Sequence, residues 1–408
     1  MNLHLQSLLI NHNSTIQISG SKSESNRLLL LQTLYPNITL ENVSNSDDTK
    51  VMLNALQSNE AIIDVHHAGT TMRSLTAFFA VQEGREVILT GSPRMKERPI
   101  KILVEALKQL GAEIYYEEKQ GFPPLRIKGK KITQNKVSLP ANVSSQYISA
   151  LLLIAPKLEN GLELTLEGDI TSMPYIKMTL ALLNEMGIET SFIENKITVN
   201  SQFSIHNFRF VIESDWSSAS YFYSIIALSE LGTQISLSSY KKSSLQGDTV
   251  LVGIYEKFGV ETTFEGNNIR LKKIAHCHLA TFSCQLNATP DIAQTMAVTC
   301  FGLGIGCHLT GLHTLKIKET DRLEALKNEF TKLGATIAIT EDSLTLNSAQ
   351  DIKKNISIKT YQDHRMAMAF APLALKVPVI IEDAEVVSKS FPDFWENLKS
   401  IGFKIEEK

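Results

Sequence analysis

The chain has 408 residues, of which 43% are hydrophobic and 20% charged, with 21 Gly and 12 Pro. That is the profile of a folded globular protein of two or three domains, and it excludes a disordered or fibrous chain. With 40 basic against 43 acidic residues the net charge is −3, which excludes a polyanion-coating protein, so any anion site has to be local. The longest apolar runs, 150–156 and 366–375, fall short of the ~18 residues a bilayer span needs. The first basic residue is Lys22, so a secretory leader is not expected and the expected compartment is the cytoplasm. Cys277, Cys284, Cys300 and Cys307 form no C-x-x-C pair. A zinc site from His276, Cys277, His278 and Cys284 has the wrong spacing, and no metal is expected.

In chain order, the strand expected at 15–19 runs into Gly20-Ser21-Lys22-Ser23-Glu24-Ser25-Asn26-Arg27, which opens a helix. Hydroxyls, free amide N–H groups and two cations meet there at the positive end of a helix, a setting for phosphate or carboxylate. The G-x-x-x-x-G-K-[ST] spacing of a nucleotide loop is missing, so ATP is not implied; a capped helix with solvated charges is the competing reading. Next comes an amphipathic helix that ends in a glycine and feeds an alternating strand. It is read at 103–114, 176–190, 250–264, 322–339 and 394–405, with turns at Gly111, Gly187, Gly259, Gly334 and Gly402. The steps between these glycines are 76, 72, 75 and 68 residues. A degenerate sixth copy, 49–65, has Ser58-Asn59 in place of the glycine. Six such units predict two similar α/β domains of three units each, with the boundary near 208–220.

The basic, hydroxyl-rich grammar of the first helix start returns at 67–73, 93–99, 144–146, 318–322, 363–365 and Lys389. Seven such segments in a mildly acidic chain predict that helix ends converge on a small, multiply anionic ligand. Asp321 and Glu324 also spell a capping box, and Asp291, in Thr289-Pro290-Asp291, reads equally well as an N-cap.

Taken together, G-S-K-S-x-S-N-R, A-G-T-x-M-R, P-R-M-K-E-R-P, S-S-Q, S-x-P-Y, S-S-A-S-Y-F, Q-G-D, K-E-T-D-R, D-H-R-M-A-M and K-x-F-P-D closely resemble the 5-enolpyruvylshikimate-3-phosphate (EPSP) synthase family from about Gly20 to Phe394. The resemblance implies an α/β fold of two inside-out, barrel-like domains, with buried helices and outer sheets. One domain would be discontinuous (1–18 and 214–408) and the other continuous (19–213), with the active site in the cleft between them. It implies transfer of the enolpyruvyl group of phosphoenolpyruvate to the 5-hydroxyl of shikimate 3-phosphate. No cofactor, nucleic acid or membrane would be involved, the chain would be a monomer, and the herbicide glyphosate would compete with phosphoenolpyruvate.

By the same resemblance Ser144, Ser145 and Ser172 hold the shikimate phosphate and Arg27 its carboxylate. Ser23, Gln146, Tyr175 and Lys318 bind the ring and its substituents. Phosphoenolpyruvate falls to Lys22, Gly69, Arg94, Gln146, Arg322, Arg365 and Lys389. Asp291 is placed near the 5-hydroxyl, and Glu319 with Lys22 near C3, as acid and base. Three positions depart from the family pattern: His67 stands for Asn, Ser74 for Pro, and Thr314 where another side chain often helps hold the shikimate hydroxyls. The sister transferase acting on UDP-N-acetylglucosamine generally has Lys-Asn near its start and a loop Cys. Here Ser23 follows Lys22 and no Cys lies near Arg94. A non-enzymatic anion-binding protein would not need both Asp291 and Glu319 beside the cations.

Overall fold

All five glycines expected to end helices lie in the left-handed region that favours glycine, with φ of 102° at Gly111, 75° at Gly187, 79° at Gly259, 96° at Gly334 and 108° at Gly402. They are seen in a computed structural model that describes every residue except 8–9, 11–13, 143, 204–205 and 350. The helices before them are Lys101–Gln109, Met173–Glu185, Leu251–Glu256, Arg322–Lys332 and Phe394–Ser400. The strands after them are Glu113–Tyr116, Thr190–Ile193, Val260–Glu265, Ile337–Ile339 and Lys404–Glu407.

Each of these strands is the edge of a four-stranded sheet and pairs antiparallel with its neighbour. The opposite edge of every such sheet is a parallel pair. One strand order therefore recurs in five sheets, which is what a repeated unit produces. None of the sheets closes into a barrel among the described residues. The sixth unit differs from expectation. Its helix, Asp47–Gln57, ends at an extended Ser58, and the strand that follows, Ile62–Asp64, belongs to the next sheet as the parallel partner of Glu86–Thr90. The sixth sheet is only Phe208–Val211 beside Ile38–Glu41. Without a left-handed residue the helix end cannot fold directly back into a hairpin.

The chain forms two compact units, Met1–Gly20 with Glu213–Lys408, and Ser21–Ile212. In the first, the N-terminal strand Leu3–Gln6 sits between Val379–Ile381 and Lys404–Glu407. Its central helix Trp216–Leu228 is buried at every residue, and Ala293–Gly302 and His364–Phe370 at nearly every one. A helix apolar all round has to be buried, and the hydroxyls it carries are satisfied inside: Thr299 Oγ1 donates to Ser224 Oγ at 2.8 Å. In the second unit the buried helices are Gly69–Ala80 and Ser145–Ile154. Its outer strands alternate, as in Leu162–Glu167, where Leu162, Leu164 and Leu166 face inward. Helices inside and sheets outside follow from these two patterns. No helix of the described residues is long and apolar enough to cross a membrane.

Candidate active site

In the unit 21–212, four predicted site segments begin four helices: Lys22–Leu34, Gly69–Ala80, Ser145–Ile154 and Met173–Glu185. Lys22 Nζ lies 2.9 Å from Asp48 Oδ2, in the first turn of the helix that follows. Arg27 is buried and makes four hydrogen bonds within the unit. Its Nε donates to Thr179 Oγ1 (2.8 Å), and its two Nη groups reach Ser23 O (2.7 Å), Ser149 Oγ (3.0 Å) and Tyr175 O (3.4 Å). Burial, above all, pulls this guanidinium down to about 10, which leaves it charged at neutral pH. Arg27 thus links three helices, a positioning role that no local pattern in the sequence shows.

Ser144 caps its helix by accepting from Gln146 N, and Gln146 Nε2 donates to Thr70 Oγ1 at 3.2 Å. Ser145 is buried beside it. Ser172 precedes the helix that carries Tyr175 and is left-handed, with φ 52°. Gly69 starts its helix directly beneath Arg98, because a Cβ there would stand 2.4 Å from Arg98 Nη1. Arg73 Nη1 donates to Gly69 O at 3.1 Å. Arg94, by contrast, lies exposed on a four-residue helix and pairs with Glu97 at 3.0 Å. Of the departures, His67 is exposed, and Ser74 is buried in the helix Gly69–Ala80.

In the other unit the predicted residues form one ionic cluster. Asp291 is not an N-cap: it lies within the short helix Pro290–Ile292. It receives Arg322 Nη1 at 3.0 Å, Arg365 Nη2 at 3.2 Å and Lys318 Nζ at 3.4 Å. Glu319 joins Arg322 at 2.9 Å and Lys389 at 3.0 Å. Arg322, itself 2% exposed at its side chain, gives its Nε to Asp363 at 2.6 Å. Asp363 also caps the helix His364–Phe370 by accepting from Arg365 N. Four cations face three carboxylates. Burial works against charge on Asp291, yet the combined fields of Arg365, Lys318 and Arg322 outweigh it and hold the carboxyl well below its ordinary range. For Lys318 burial prevails over the attraction of Asp291 and lowers its proton affinity. The Thr314 hydroxyl is buried without a hydrogen-bond partner among the described residues.

Asp48, Ser149 and Thr179 carry no signal in the sequence, while Arg98 and Asp363 lie in the segments 93–99 and 363–365 without a role assigned to them; the place of Asp363 before His364-Arg365 reads as a cap. The four thiols form no disulfide, and among the described residues no His, Cys, Asp or Glu group is arranged to hold a metal.

These features define a class: an α/β protein of repeated sheet-and-helix units whose helix starts gather cations and carboxylates suited to small anionic ligands. The chain belongs to the EPSP synthase (3-phosphoshikimate 1-carboxyvinyltransferase) family, whose pattern it matches over residues 56–398. A protein of Bacteroides fragilis (strain YCH46) named 3-phosphoshikimate 1-carboxyvinyltransferase is 45% identical over 397 residues, covering 96% of both chains. One of the same name from Haemophilus influenzae (strain Rd) is 36% identical over 424 residues, again with 96% of each covered. The fold is also that of a 2.37 Å structure of EPSP synthase from Acinetobacter baumannii, with a TM-score of 0.79 and 19% identity over the whole of both chains.

Proposed function

We propose that this chain transfers the enolpyruvyl group of phosphoenolpyruvate to the 5-hydroxyl of shikimate 3-phosphate and releases phosphate. Its relatives at 45% and 36% identity bear the name of that activity. The single structural observation that carries the reading is Asp291, a carboxylate ringed by three cations and sharing Arg322 with Glu319. We also propose that the residues of both units serve the same substrate pair, with the discontinuous and continuous halves acting as its two domains.

The reaction needs a base for the 5-hydroxyl proton as that oxygen attacks C2, and an acid that protonates C3. The resulting tetrahedral intermediate then loses phosphate as C3 gives a proton back. While paired with three cations, Asp291 is too weak a base for this work. Phosphate and carboxylate oxygens arriving at Arg322, Arg365 and Lys389 compete for the same N–H groups, weaken the fields on Asp291 and raise its proton affinity. Binding of the anions would therefore switch on the base. Glu319, sharing Arg322 and Lys389, is released in the same way, and together with Lys22 serves C3. The cations offset the repulsion between two anionic substrates.

Phosphate release measured with both substrates, and with each omitted in turn, tests the proposal. Release that requires both is expected; release that is absent, or independent of shikimate 3-phosphate, refutes it.

A further inference from the structure

Two motifs of the sequence, Ser217-Ser218-Ala219-Ser220 and Gln246-Gly247-Asp248, are left without a role by the reading above. Asp248 is buried, 4% exposed, on the short turn Gly247–Val250. Ser217 Oγ donates to Asp248 Oδ2 at 2.5 Å. Arg365 Nη2 in turn donates to Ser217 Oγ at 3.4 Å. The same guanidinium meets Asp291 twice, through Nη2 to Oδ2 at 3.2 Å and through Nη1 to the backbone oxygen at 3.2 Å. A continuous chain of polar contacts therefore runs from Asp248 through Ser217 and Arg365 to Asp291.

We infer that Asp248 and Ser217 are positioning residues that aim Arg365 at Asp291 and at the anionic oxygens of the ligand, and that this aim depends on Asp248 being ionised. The inference rests on the reading of Arg365 and Asp291 as site residues. A hydroxyl has one proton and two lone pairs, and an ionised carboxylate only accepts. With Asp248 ionised, the Ser217 proton points at it and a lone pair faces the Arg365 N–H. With Asp248 protonated, the carboxyl can donate to a Ser217 lone pair, so the Ser217 proton loses its fixed acceptor and the hydroxyl is no longer held with a lone pair toward the Arg365 N–H. The charged groups facing Asp248 are Asp291 and Asp215, which favour its proton, and Arg365, which opposes it. Burial is the largest influence, and the balance places Asp248 at about 6. A carboxylate buried in this way weakens the fold as it ionises, so an amide of the same shape would serve stability better. The charge calls for a functional reason.

The test uses the full chain, with phosphate release giving kcat/KM from pH 5 to 8.5 for wild type, Ser217→Ala, Asp248→Asn and Arg365→Ala. Tryptophan fluorescence gives thermal unfolding of the same proteins. Ser217→Ala is expected to lose roughly ten-fold or more in kcat/KM at pH 7.5, as misplacement of a site group does. For both Ser217→Ala and Asp248→Asn, the ratio of wild type to variant should change with pH around a midpoint of about 6. Taking the ratio cancels titration of the substrate phosphates, and Asp248→Asn should unfold no earlier than wild type. A ratio that is flat with pH in both variants, or an earlier unfolding of Asp248→Asn with wild-type pH dependence, overturns the inference and leaves the site reading intact. Wild-type turnover in Arg365→Ala overturns the site reading itself.

Discussion

Replacing Arg322 by Met removes the cation common to Asp291, Glu319 and Asp363 while keeping an unbranched apolar stem. The three carboxylates do not suffer equally. Asp291 keeps Arg365 at 3.2 Å and Lys318 at 3.4 Å, and Glu319 keeps Lys389 at 3.0 Å. Asp363, whose side chain is wholly buried, retains the Arg365 backbone N–H at 2.9 Å, with His364 Nδ1 at 3.8 Å and no other Lys or Arg ion pair among the described residues. The cost should therefore be that of one buried carboxylate stripped of its partner, about 3–5 kcal/mol, and not three times that. For a unit of roughly 200 residues, at about 2–4 °C per kcal/mol, this lowers the unfolding temperature by about 6–20 °C.

Both tryptophans, Trp216 and Trp395, lie in the discontinuous unit, so their fluorescence reports that unit, while circular dichroism reports both. Fluorescence should shift by the full amount, with a second dichroic transition left near its wild-type position. Adding Asp363→Asn to Arg322→Met should recover most of the loss. An equally large loss in the double variant would refute the argument that Asp363 dominates.

Gly69→Ala places a Cβ 2.4 Å from Arg98 Nη1, so the guanidinium must retreat by roughly 1 Å to ordinary contact. Overpacking of about 1–3 kcal/mol should outweigh the up to ~1 kcal/mol of helix propensity gained, lowering stability slightly in thermal unfolding. With Gly69 lining the proposed phosphoenolpyruvate site, the added methyl should also raise the glyphosate inhibition constant by more than ~10-fold, above about 1.4 kcal/mol, in steady-state competition against phosphoenolpyruvate. Lys22→Ala and Arg94→Ala should each lose most turnover with an unchanged dichroic spectrum, since a charge-assisted bond to a bound anion is worth about 1.5–3 kcal/mol. Asp291→Asn should destabilise the discontinuous unit at neutral pH. Because the native carboxyl is held below the ordinary value of about 3.9, its stabilising contribution is complete above that pH and is lost as pH falls through the lower native value. The fluorescence-detected gap between wild type and Asp291→Asn should therefore close on acidification below about pH 4.

The helix ends were legible because their cause is local: a left-handed turn calls for glycine, and the five positions could be read one residue at a time. The exchange of strands was not. Ser14–Ile16 leads into the helix Lys22–Leu34 but pairs with Gln234–Ser238. Phe208–Val211 leads into Trp216–Leu228 but pairs with Ile38–Glu41. A short alternating run shows which of its faces is buried and says nothing of its partner, so only the family resemblance pointed to a discontinuous domain. The site divides in the same way. That cations gather at helix starts was readable, but that Asp291 joins residues 27, 31 and 74 positions away was not, since ion pairs depend on where the elements meet.

One electrostatic rule connects these features. The start of a helix is already positive, so a Lys or Arg placed there is stable only if an anion answers both. In this chain the answer comes from its own carboxylates: Asp48 for Lys22, Glu97 for Arg94, and Asp291, Glu319 and Asp363 for Arg322, while Lys389, which ends the short helix Ala384–Lys389, meets Glu319. Each pair is also a competition, because a phosphate or carboxylate of a ligand offers the same cation more acceptor oxygens. Asp363 cannot give way, being buried and committed to its helix cap; Asp291 and Glu319, 16% and 14% exposed, can. Within the cluster around Arg322 the carboxylates able to yield their cations to a ligand are the two to which the proposed mechanism gives proton transfer, so that in that mechanism ligand binding and the arming of the base would be a single event.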